Sequence, residues 1–123
     1  MLEIKNINKN FGGLRAVNNA SMNIEKGSIT GLIGPNGAGK TTLFNTIAGV
    51  YAPDEGEIFL ENQNITGLKP HNLFNKGVLR TFQIAHEFST LTVLENLMMV
   101  PPNQYGENLI YALFRNNDVK KQE

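Results

Sequence analysis

Gly34-Pro35-Asn36-Gly37-Ala38-Gly39-Lys40-Thr41-Thr42 follows the segment Ile29–Ile33 and precedes Leu43, Phe44 and Ile47. Its pattern is GxxxxGK[ST], and its setting is a predicted strand before and a predicted helix after. That combination marks a phosphate-binding loop. Gly34, Gly37 and Gly39 let the backbone curl so that its N–H groups turn inward, where a Cβ would hinder either the φ or the close approach. Lys40 is placed to set its ammonium between β and γ phosphates, and Thr41 to offer a hydroxyl to Mg²⁺. Thr42 adds a contact to the α phosphate, and the start of the helix contributes its positive dipole end. The implied ligand class is a nucleoside polyphosphate.

Outward from the loop, the chain alternates short strands with few helices. Leu2, Ile4 and Ile7 read as an edge strand, and Asn10-Phe11-Gly12-Gly13 as a turn carrying an exposed aromatic. Ala20, Met22 and Ile24 alternate as a half-buried strand, and Glu25-Lys26-Gly27 turns the chain into a strand over 28–33. Lys40 to Ala48 is a helix stopped near Gly49 and Pro53. Asp54-Glu55-Gly56 is a turn, and Ile58 and Leu60 share a strand face. Pro70 to Lys76 reads as a short helix ended by Gly77, and Val78 to Phe82 as a buried strand leading to Gln83. Leu91 to Val100 has helical period, with Thr90 or Thr92 as cap and Glu95 in its first turns. Leu109, Ile110, Leu113 and Phe114 share a second helical stripe before a polar tail from Arg115 to Glu123.

Composition narrows the function class. The 123 residues are 41% hydrophobic and 18% charged, values of a globular domain rather than a disordered chain. Eleven basic and eleven acidic residues cancel to zero net charge without a basic stripe, which argues against nucleic acid as a partner. Two histidines and no cysteine argue against a zinc site and a disulfide framework. No apolar run spans a bilayer, and the N-terminus lacks the features of a signal peptide. A soluble, cytoplasmic chain is the expectation, with any membrane role exercised through protein partners.

The ordered set of segments is similar to the ATP-binding subunit of ABC transporters, most of all to the branched-chain amino acid importers. The matching stretches are Asn10 to Val17, Gly31 to Asn45, Ile65-Thr66-Gly67-Leu68, Arg80-Thr81-Phe82-Gln83 and Leu91-Thr92-Val93-Leu94-Glu95-Asn96. The resemblance implies an α/β fold, a P-loop NTPase of the ABC ATPase type, with an antiparallel β subdomain and the first strands of the core sheet. Residues 1–84 are expected to form the N-terminal part of the nucleotide-binding domain, and 85–123 the start of a helical subdomain. Phe11 is then the aromatic that stacks on adenine, a planar ring covering a base at little entropic cost. Val17 packs against the nucleoside, although a strand valine is equally a core residue. Gln83 reaches Mg²⁺ and the surroundings of the attacking water through its amide oxygen. The implied cofactors are ATP and Mg²⁺, and the implied partners a second ATPase subunit and membrane permease subunits at the inner face of the plasma membrane.

Other family features have no match here: the acidic residue that ends a later strand, the serine- and glycine-rich signature, and the switch histidine. His71 and His86 stand in unrelated positions. The sequence therefore reads as an N-terminal portion that binds Mg-ATP weakly or not at all and lacks residues for efficient hydrolysis. The alternative is a nucleotide-binding or regulatory module of the same fold that never hydrolyses ATP. A small GTPase or nucleotide kinase fits poorly, because neither chemistry calls for Phe11 upstream of the loop.

Overall fold

The computed structural model describes residues 1–81 and 88–98. Gln83, His86, the Leu109–Phe114 stripe and the polar tail lie outside the described residues. The chain divides into two compact units, Met1–Arg80 and Thr81–Glu123.

The first unit is built on a four-stranded antiparallel sheet of order β2-β1-β3-β4. Its strands are β1 (Leu2–Phe11), β2 (Leu14–Ile24), β3 (Glu55–Leu60) and β4 (Gln63–Asn64). Contrary to expectation, β1 is interior, paired with β2 on one side and β3 on the other. The interrupted alternation that suggests an edge comes instead from a bulge. Ile4 pairs with Met22 and Ile7 with Ala20, so β1 advances one residue more than β2 over this step. The extra residue lets Ile4 and Ile7, three apart, both point into the core. Asn6 (φ 51) sits in the bulge, and Asn19 (φ 51) sits where β2 in turn gains a residue. Asparagine tolerates this left-handed backbone better than most side chains. Each bulge is tied across the hairpin: Asn6 Nδ2 donates to Asn19 Oδ1 at 2.8 Å, and the Asn19 N–H to Asn8 Oδ1 at 2.8 Å.

β3 and β4 are joined by Glu61 and Asn62, both with positive φ (46 and 65), between the paired Leu60 and Gln63. Positive φ at both central residues is the type I′ hairpin, whose twist matches that of the strands. The chain then folds back so that the Ile65 N–H donates to the Ile58 carbonyl at 2.8 Å, and Thr66 Oγ1 accepts from the Ile58 N–H at 2.8 Å. The helices of this unit are α1 (Lys40–Ile47) and α2 (Pro70–Asn75). Pro70 opens α2 without forfeiting a hydrogen bond, since the first helical N–H has no partner in the helix. The core is Ile4, Ile7, Val17, Leu43, Ile58, Ile65 and Leu73, drawn from both the sheet and the helices.

Residues 28–33 and 78–81 carry no strand pairing among the described residues, although both read as strands in the sequence. Their composition suits a buried strand, but a ladder needs a neighbour and none of the described strands supplies one. Ile29 and Ile33 are accordingly almost fully exposed, and Leu79 is exposed too.

In the second unit, α3 (Val93–Met98) begins with a capping box. Thr92 Oγ1 accepts from the Glu95 N–H at 3.3 Å while the Glu95 carboxylate accepts from the Thr92 N–H at 2.7 Å. The Thr92 N–H, followed by its hydroxyl, holds the Glu95 carboxyl below its ordinary pKa.

Candidate functional site

The loop over 34–39 delivers the chain into α1 through Gly39, the N-cap residue, whose φ of 80 is left-handed. A Cβ there would stand 2.1 Å from the Ala16 carbonyl oxygen and 3.6 Å from Val17 Cγ2, so the loop lies directly against β2. Gly37 is also left-handed (φ 83) but faces open space. Gly34 needs neither privilege, since an added Cβ would make ordinary contact with Ala38 Cβ at 3.6 Å. The expected steric reason for glycine thus holds at two of the three positions.

No side chain caps α1, so its first N–H groups are left for another acceptor. Lys40 folds over the loop and donates from Nζ to the Gly34 and Pro35 carbonyls, each at 2.7 Å. Thr41 is exposed in the first turn, and Thr42 is half-buried. The far side of α1 anchors it: Leu43 and Thr46 are buried, and Thr46 Oγ1 donates to the Thr42 carbonyl at 2.9 Å. Arg80 Nη1 donates to Asn45 Oδ1 on the same helix. An open cleft of about 460 Å³ separates loop from sheet, walled by Ala16, Val17, Ala20, Met22, Leu32 and Lys40 among others.

Left-handed glycines, uncapped helical amides, an ammonium over the loop and a hydroxyl one residue later form a donor set that suits a polyphosphate with a hard cation. Pro35, Asn36 and Ala38 complete the exposed rim. The residues present therefore fit ATP and Mg²⁺. Among the described residues there is no cluster of three His, Cys, Asp or Glu that could hold a metal alone. A cation here would be shared between Thr41 and the phosphates.

Val17 is buried in the core beside Gly39 and also lines the cleft. Phe11 lies at the end of β1, 42% exposed and away from the cleft lining. The structure therefore brings Val17 to the loop and leaves Phe11 as a separate surface aromatic. Sequence reasoning missed what frames that ring. Tyr51 packs against it in a T-shape, centroids 5.1 Å apart and planes at 77°. Lys9 Nζ lies 5.6 Å from the Phe11 centroid and bonds Asp54 Oδ1 at 2.8 Å. Asp54 Oδ2 also accepts from the Asn10 N–H at 2.6 Å.

The sequence profile described as ABC transporter matches residues 17–123. The chain belongs to the ABC transporter family. It is 46% identical over 113 residues to the "Probable branched-chain amino acid transport ATP-binding protein" of Archaeoglobus fulgidus, covering 92% of this chain and 44% of that one. A solved nucleotide-free ATP-binding cassette from an ABC transporter superposes with a TM-score of 0.75 at 38% identity, over 100% of this chain and 48% of its own. A second cassette, solved in its ADP conformation, gives 0.74 at 38% identity over 95% and 46%. The fold is thus that of the ABC ATPases, represented by its antiparallel β subdomain, the phosphate loop with α1, and segments 28–33 and 78–81, which carry no strand pairing among the described residues. The chain spans about half the length of the curated relatives it matches. Among the described residues, no helix is long and apolar enough to cross a membrane.

The Lys9–Asp54 pair gives this region a pH dependence. The Lys9 ammonium, and after it the Asn10 N–H, holds the Asp54 carboxyl below its ordinary pKa. A depressed folded-state pKa stabilises above the unfolded value, about 3.9 for aspartate, and that contribution is lost as pH falls below it through the folded value. Asp54→Asn is therefore expected to destabilise the chain at neutral pH and to make less difference as the pH falls below the ordinary aspartate value. Urea unfolding of both proteins across that range checks this, and a difference that grows on acidification would contradict it.

Proposed function

We propose that this chain binds Mg-ATP through Gly34–Thr42 as part of the ATPase of a solute importer, with branched-chain amino acids as cargo. The observation that carries this is the loop itself: Lys40 bonded across its mouth, left-handed Gly37 and Gly39, and the uncapped start of α1. Backbone amides from Gly37 to Thr42 and the Lys40 ammonium take the phosphates. Thr41 Oγ1 takes the metal, Phe11 stacks on adenine, and Val17 packs against the nucleoside.

The cargo assignment rests on relatives named for branched-chain amino acid transport. In the whole ATPase, binding places the γ phosphate for in-line attack by water, and catalysis comes from positioning and charge stabilisation. Its partners are a second ATPase subunit and permease subunits, which hold it at the inner face of the membrane.

The test is an amide-shift titration of the full chain with Mg-ATP. Shifts concentrated at Asn36–Thr42 are expected, with smaller ones at Phe11. A map that leaves Asn36–Thr42 unmoved overturns the proposal.

A further inference from the structure

We propose that Tyr51 is a positioning residue for the base, holding the plane of the Phe11 ring so that it discriminates a nucleotide from a bare polyphosphate. This rests on the nucleotide-binding reading above and adds to it a residue with a separate readout. Phe11 follows a run of strand and precedes the Gly12–Gly13 turn, so its backbone is fixed while its ring is 42% exposed. An exposed ring is free to rotate away from a stacking plane unless something meets it. Tyr51 meets it in the T-shaped arrangement that aromatic quadrupoles favour.

Tyr51 is itself held in place. Its N–H and that of Val50 both donate to the Asn45 carbonyl, at 3.3 and 2.8 Å, after Gly49 turns the chain with φ 73. Asn45 belongs to α1, the helix that starts at the phosphate loop. Three residues further on, Asp54 fixes Lys9, whose ammonium lies over the same ring. The segment following α1 thus meets Phe11 through a T-shaped ring contact and a clamped cation. Through the Asn45 carbonyl, α1 links the phosphate loop to the residue that packs on the ring proposed to meet the base.

The experiment titrates the full chain, Tyr51→Leu, Tyr51→Phe and Phe11→Leu with Mg-ATP and with Mg-tripolyphosphate, following the amides of Gly37–Thr42. The wild type is expected to prefer ATP. Tyr51→Leu should weaken ATP by about 2- to 10-fold, the range of an aromatic pair, with tripolyphosphate affinity unchanged. Tyr51→Phe keeps the ring and should keep the preference, and in a double variant titrated alongside these, Tyr51→Leu should add nothing to Phe11→Leu. An intact ATP preference in Tyr51→Leu, or equal weakening of both ligands, overturns the role of Tyr51 and leaves the phosphate loop standing. Equal wild-type affinity for both ligands removes the base platform as well. Binding of neither ligand overturns the nucleotide-binding reading and this inference with it.

Discussion

Lys40→Ala is expected to lose about 100-fold or more in affinity for Mg-ATP, and as much for Mg-tripolyphosphate. Hydrogen bonds to charged groups contribute about 1.5–3 kcal/mol each, and every 1.4 kcal/mol is tenfold, so an ammonium meeting two phosphate oxygens accounts for that loss. The side chain already crosses the loop, bonded to the Gly34 and Pro35 carbonyls at 2.7 Å, and with three N–H donors it must release at least one of those bonds to meet two phosphate oxygens. Alanine also removes those two bonds, but they lie at an exposed surface and their loss costs the fold little. The check is a titration of both proteins with both ligands, with the shifts of the buried Val17 and Leu43 methyls as the control for an intact core. Affinity within about threefold of wild type, under 1 kcal/mol, would remove Lys40 from the site. The effect differs in kind from that expected at Tyr51. Loss of the ammonium is expected to strike every polyphosphate, whereas loss of the Tyr51 ring is expected to strike only one that carries a base.

What could be read from sequence was what is local. The phosphate loop and α1 follow from a nine-residue pattern whose glycines, lysine and threonines act within a turn of one another. The start of α3 was legible for the same reason, with Thr90 or Thr92 as cap and Glu95 in its first turns; the structure selects Thr92, whose two bonds with Glu95 span three residues. The failures come from pairings between distant segments. β1 looked like an edge strand because the Asn6 bulge breaks the alternation by which a half-buried strand is recognised, and nothing in IKNIN states that β3 will cover its other side. Residues 28–33 have the composition of a buried strand, yet composition is not a partner. Tyr51 was overlooked because its contact with Phe11 is made by the fold, through the turn at Gly49 and the pairing of β1 with β3. Val17 was left open between core and ligand; the structure buries it in the core and places it among the residues that line the cleft.

Gly39→Ala and Gly37→Ala should separate the two reasons for glycine in the loop. Both residues have left-handed φ, 80 and 83, a conformation that costs an alanine roughly 1–2 kcal/mol. At Gly37 nothing lies within 4 Å of the added Cβ, so that strain is the whole effect and the chain stays folded. At Gly39 the Cβ would meet the Ala16 carbonyl oxygen at 2.1 Å, and this is backbone in β2 that a rotamer change cannot move aside. Relief requires α1 to withdraw from the sheet, which pulls Leu43 out of the core it shares with Val17 and Ile4. Adding the exposure of a leucine, about 1.5–3 kcal/mol, to the φ strain brings the cost to about 3–5 kcal/mol. For a domain of this size about 1 kcal/mol shifts the melting temperature by about 4–8 °C, so Gly39→Ala should melt at least about 12 °C lower or fail to fold cooperatively. Gly37→Ala should fall by no more than about half of that. Thermal unfolding by circular dichroism checks both, and equal shifts would show that backbone strain alone, without contact with β2, is what glycine relieves at position 39.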